Sequence, residues 1–209
     1  MNSPEKEINN IQDLFKRLKI SEDALSLEQK KFLEKNGYLK IPPTNYLKKN
    51  LKLLNDITSQ LILNEGHKGG WEGKEKYYKK DRPFEPIESG SLKMGAERLG
   101  NLIEKNKIFS ELILLPEILL GAYEVIKSDF KVSGLNLRNP LKNFGEQAYH
   151  IDWLPRKNKE ENFSGVVCYI FLEEATIENG ATRIIPGTHK NLGWPDEHID
   201  TSEKHKDEI

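Results

Sequence analysis

The sequence predicts an α+β domain in which helices, confined to roughly the first 130 residues, pack outside a β sandwich or barrel. Three observations point that way. Apolar residues recur every three or four positions from Leu47 to Leu61, and further helical segments are read at 11–18, 26–36 and on to about residue 127. After Phe130 the pattern changes to short apolar runs separated by turn residues. Strands and helices do not alternate, so a parallel βαβ sheet is not expected.

Taken in order, residues 1–25 read as a polar N-terminal extension in which Ile11, Leu14, Phe15 and Leu18 suit a loosely docked helix. Ser26-Leu27-Glu28-Gln29 has capping-box spacing, and the helix it opens should stop at Asn36-Gly37. A strand is expected at Tyr38-Leu39-Lys40-Ile41, ended by Pro42-Pro43. After Thr44, the positions Leu47, Leu51, Leu54, Thr58 and Leu61 mark one face of a long amphipathic helix closing at Gly66, and that face needs a cover. Residues 66–91, rich in Gly, Lys, Glu and Pro, read as a long loop, either a surface excursion or a cover for an anionic substrate. Helical segments follow at about 95–106 and 108–127, with Pro116 either starting a fresh helix or kinking the second one. The β half should use Val132–Leu137, Ala148–Trp153, Val166–Leu172 and Thr182–Ile185.

Composition narrows the function classes. Thirty-two basic against 33 acidic residues leave a formal charge of -1, with no overall field to hold a phosphate backbone, so nucleic acid is not expected as a partner. The one cysteine, Cys168, cannot form an internal disulfide or a cysteine zinc site, and its apolar run suggests an inert core thiol. Neither a signal peptide nor a membrane-spanning apolar run is evident, so a soluble cytoplasmic protein is expected. The Gly69-to-Lys74 stretch has the wrong spacing for a phosphate loop, and no serine nucleophile elbow occurs.

Any metal must therefore use His, Asp or Glu. Residues two apart on a strand share a face, so His150 and Asp152 can turn an imidazole and a carboxylate to one point while Ile151 packs behind. The bare pattern is weak: it recurs as His198-Ile199-Asp200 and His205-Lys206-Asp207, where the surroundings read as solvated loop. Around His150 the neighbours Tyr149, Ile151 and Trp153 look strand-like, leaving a metal clasp and an ordinary hydrogen-bonded pair as alternatives. Asn179-Gly180 marks a tight hairpin. Arg183 beyond it either meets an anionic substrate group or is an ordinary salt-bridged surface residue, and His189 lies in the next turn.

Three blocks, Asn36-Gly37-Tyr38-Leu39-Lys40-Ile41-Pro42, His150-Ile151-Asp152-Trp153, and Glu178-Asn179-Gly180 through Pro186-Gly187-Thr188-His189-Lys190, together resemble the phytanoyl-CoA dioxygenase family over about residues 26–209. The resemblance implies a double-stranded β-helix, a cupin-like jelly roll with helices on one flank: helical flank 26–130, β-helix core 131–190 and polar tail 191–209. It implies an iron(II)- and 2-oxoglutarate-dependent oxygenase that uses molecular oxygen to hydroxylate a small organic or acyl-CoA-type substrate. His150 and Asp152 match the first two iron ligands, while Tyr169 and Gln147 stand near the expected 2-oxoglutarate site. The family's third ligand is a later histidine, followed by the arginine that binds the 2-oxoglutarate carboxylate. Residues 191–209 contain no arginine and no apolar strand, and neither His198 nor His205 has the family's context. The expectation is an incomplete domain lacking its closing strands, with iron held by two protein ligands and 2-oxoglutarate without its charge partner, so that catalysis by these 209 residues is doubtful. A non-catalytic jelly-roll binding module, or an inactive remnant, is the alternative.

Overall fold

A computed structural model describes residues 8–65, 96–140, 150–152 and 155–193. The chain starts with α1 (Ile11–Leu18), capped by the Asn10 side chain, which accepts from the Asp13 N–H. This segment was expected to be peripheral. Instead Ile11 and Phe15 are buried with Leu25, Leu119 and Leu120, so it contributes to the core.

The capping box at the start of α2 (Leu27–Asn36) forms in both directions: Gln29 N–H donates to Ser26 Oγ at 3.2 Å, and Ser26 N–H donates to Gln29 Oε1 at 2.8 Å. Gly37 closes the helix in the left-handed region at φ 80, its N–H reaching the Leu33 carbonyl. Tyr38–Ile41 is not a strand; it runs on without ladder bonds, and Leu39 and Ile41 pack beside the α1 cluster. Hydrophobic burial, rather than sheet pairing, explains the apolar residues there.

The long helix α3 (Asn45–Glu65) matches the expected span, with Thr44 Oγ1 accepting from the Leu47 N–H at 3.2 Å. Leu54 is fully buried, and Thr58 satisfies its buried hydroxyl on the Leu54 carbonyl at 2.9 Å. Leu51, assigned to the same face, is 38% exposed at the edge of the stripe.

The cover for α3 departs from expectation. Ala96–Leu99 is β1, not helix, and pairs antiparallel with β2 (Leu137–Pro140) in the register Ala96↔Pro140, Leu99↔Leu137. Short helices α4 (Leu102–Lys105) and α5 (Lys107–Ile113) follow, and Leu99, Leu102, Phe109 and Leu112 close over Leu54. Pro116 begins a new helix, α6 (Pro116–Ile126), at the position where its missing N–H leaves no bond unmade. Leu115 belongs to the α3 cluster and Leu119 and Leu120 to the α1 cluster, so α6 joins the two.

The architecture is thus mixed helix plus sheet, an α+β arrangement. Among the described residues its strands amount to one two-stranded sheet. Val166–Leu172 and Thr182–Ile185, expected as strands, carry no ladder bonds there, neither do residues 150–152, and of the expected strand Val132–Leu137 only Leu137 pairs; the predicted loop 66–91 and residues 194–209 of the predicted tail 191–209 lie outside the described residues. At Asn179-Gly180 a tight turn does form: Gly180 has φ 85, Ala181 N–H reaches the Thr176 carbonyl at 2.9 Å, and the Asn179 side chain clamps Thr176 N–H and the Glu174 carbonyl.

The turn Pro186-Gly187 and the short 3-10 helix Thr188–Lys190 dock on the C-terminal end of α2. Gly187 N–H donates to the Asn36 carbonyl at 2.8 Å, and His189 Nε2 donates to the Glu34 carbonyl at 3.1 Å. The imidazole lies directly against Gly37, where an added Cβ would sit 2.2 Å from Nδ1. Gly37→Ala therefore suffers twice, from the left-handed backbone, which costs a non-glycine residue about 1–2 kcal/mol, and from displacement of His189. A melting temperature lowered by several degrees is expected, about 2–4 °C per kcal/mol for a chain of this size, and a variant melting with the parent would contradict this packing.

Candidate functional site

His150 and Asp152 lie side by side, but on an irregular segment rather than on the strand their spacing predicts. Nε2 of His150 lies 3.2 Å from Oδ1 of Asp152, with the side chains 49% and 43% exposed, so the pair faces solvent rather than the core. Two donors about 2.1 Å from one cation, at angles between octahedral and tetrahedral, stand about 3.0–3.4 Å apart. The observed separation therefore suits two neighbouring ligands of one metal ion. It equally suits the hydrogen bond that holds the pair without one. Among the described residues no third His, Cys, Asp or Glu joins them.

Tyr169 completes the cluster. Its hydroxyl donates to the second carboxylate oxygen, Oδ2 of Asp152, at 3.1 Å. Desolvation pushes the Tyr169 pKa up to about 12, the charge of Asp152 and the hydrogen bond to it add to the rise, and the positive charge of Arg138 opposes it. The phenol is thus a donor at every working pH. Its position is set from the core: Ile170 and Leu172 pack against the cluster around Leu54, while Tyr169 and Phe171 alternate outward at 54% and 53% exposure with their rings stacked at 6.5 Å. The Asn55 side chain of α3 also donates to the Leu172 carbonyl at 3.2 Å.

The structure thereby brings together three of the residues singled out in the sequence. Arg183 is half-buried on the segment after the Thr176–Ala181 turn. Gln147, His198 and His205 lie outside the described residues. Cys168 is exposed rather than a core thiol, because the run around it has no ladder partner among the described residues; desolvation nevertheless pushes its pKa up, which keeps the thiol protonated. Arg138 on β2 was missed by sequence reasoning. Its influence on Tyr169 depends on a fold contact that no local pattern encodes.

A family model described as Phytanoyl-CoA dioxygenase (PhyH) matches residues 104–208, a little over half of the chain. No curated protein and no solved structure gives a significant match. Among the described residues no helix is long and apolar enough to cross a membrane.

His189, in the most distinctive sequence block, is occupied structurally. Nε2 carries the proton it gives to the Glu34 carbonyl, which leaves Nδ1 as the bare nitrogen, buried with no hydrogen-bond partner among the described residues. The ring packs on Phe163, over which the Arg156 guanidinium also lies, 4.2 Å from the Phe163 ring centroid. Desolvation lowers the His189 pKa, against the hydrogen bond to Glu34 and with the added repulsion of Lys190 and Arg156. The folded state thus favours neutral His189, whereas the unfolded chain takes up its proton near pH ~6.5. This contribution to stability is complete above that pH and is lost as pH falls through the folded-state pKa. Urea midpoints measured from pH 7.5 down to pH 5 should decline less steeply in His189→Gln than in the parent; parallel declines would remove His189 as the cause.

Proposed function

Since the chain belongs to the phytanoyl-CoA dioxygenase family, we propose that it is an iron(II)- and 2-oxoglutarate-dependent oxygenase domain, built on a double-stranded β-helix, that hydroxylates a small organic or acyl-CoA-type substrate. The observation that carries this reading is the meeting of the His150 imidazole and the Asp152 carboxylate at metal-ligand separation. Ferrous iron, when bound, supplies the oxygen chemistry that turns 2-oxoglutarate into succinate and carbon dioxide and hydroxylates the substrate.

The chain's own residues have narrower tasks. His150 offers Nε2, which must be unprotonated to ligate, and Asp152 offers Oδ1, an anionic oxygen that suits a hard cation. These two contribute one neutral and one negative donor. Tyr169 and Gln147 flank the 2-oxoglutarate position in this reading, and Arg183 meets an anionic part of the substrate. Half-exposure of the pair supports the reading, since a cation and a co-substrate both need access to it.

Anaerobic iron titration and succinate release test it together. His150→Ala and Asp152→Ala are each expected to weaken iron binding by more than about tenfold, the lower end of the effect of losing even an indirect metal partner, and to remove any iron-dependent succinate release. Iron binding that depends on His150 without succinate release would favour a binding module in place of the oxygenase. Iron binding unchanged in both variants would overturn the ligand assignment.

A further inference from the structure

We propose that Tyr169 is a positioning residue for Asp152, tying Oδ2 so that Oδ1 is the oxygen presented to His150 and to a cation bound between them. The inference rests on the metal-binding reading of the pair and adds a role distinct from contact with a co-substrate.

A carboxylate has two equivalent oxygens, and the torsion that exchanges them is broad and roughly two-fold. Asp152 is 43% exposed in its side chain, so packing does little to choose between them. The hydrogen bonds do choose: Oδ2 is held by Tyr169 at 3.1 Å and Oδ1 faces His150 at 3.2 Å. The hydroxyl has a single hydrogen, and it is committed to Asp152.

The tyrosine is itself well anchored. Ile170 and Leu172 on either side of Phe171 are packed into the α3 cluster, and Asn55 holds the Leu172 carbonyl at 3.2 Å. The packing of Ile170 and Leu172 thus places the donor, the donor ties the carboxylate, and the carboxylate presents one oxygen beside the imidazole. Hydrogen-bonded partners of this kind orient metal-ligating carboxylates, and their loss lowers metal affinity by about 10–100-fold.

The test uses the 209-residue chain with Co(II) as the probe, followed by calorimetry and by the visible absorption of the bound ion, at a temperature below the melting transitions of all proteins compared. Tyr169→Phe removes only the hydroxyl. The expected result is Co(II) binding at least about tenfold weaker than in the parent, with a changed cobalt spectrum and metal-free melting close to the parent's. Equal affinity and an identical spectrum in Tyr169→Phe, with Asp152→Ala still impaired, would overturn the positioning role while leaving the ligand pair intact. A parent chain that binds no Co(II), or binds it as well after Asp152→Ala, would overturn the pair and the positioning role with it.

Discussion

Burial of one stripe of α3 (Asn45–Glu65) is the constraint on which the rest of the molecule depends. A helix of this length with Leu54 and Thr58 on one face is not stable alone in water until that face is covered. The cover is assembled from distant parts of the chain: Leu99 of β1, Leu102 of α4, Phe109 and Leu112 of α5, and the partly buried Ile170 and Leu172. Because Ile170 and Leu172 are drawn inward, Tyr169 is turned outward, and its hydroxyl arrives at Asp152. The candidate site is in this sense a consequence of core packing.

A second docking links the two ends of the described chain. The turn at Pro186-Gly187 and the imidazole of His189 rest on the end of α2, and the close approach is possible because residue 37 has no side chain. Two of the three blocks on which the family resemblance was drawn thereby meet in space. Their shared pattern has a packing reason: Gly37 both terminates α2 at positive φ and provides the surface that His189 covers. A histidine in a distinctive motif invites a catalytic reading, yet here its ring nitrogens are spent on a helix carbonyl and on burial.

The chemistry of the site is carried by few groups, and their exposure determines what they contribute. Hydrogen bonds between half-exposed side chains add little to stability, on the order of 1 kcal/mol or less each. The His150–Asp152–Tyr169 chain is therefore a poor candidate for a structural brace and a better one for a ligand-facing cluster. The chain belongs to an oxygenase family, and the proposed role of these donors as iron ligands is consistent with their charge and spacing.

By itself, the sequence determined what short-range physics controls. The capping box at Ser26, the stop at Gly37, the span of α3, the fresh start at Pro116 and the turn at Asn179-Gly180 all follow from interactions between residues at most a few positions apart. Only the tertiary structure decided the rest. Ala96-Glu97-Arg98-Leu99 has helix-forming composition but is a strand, because pairing with Leu137–Pro140 some forty positions away outweighs a few tenths of a kcal/mol of local preference per residue. The same holds for the place of Ile11 and Phe15 in the core, the contact of His189 with Gly37, and the hydroxyl of Tyr169 on Asp152: each joins segments far apart in the chain, and burial on folding, which no local pattern records, selects the partner.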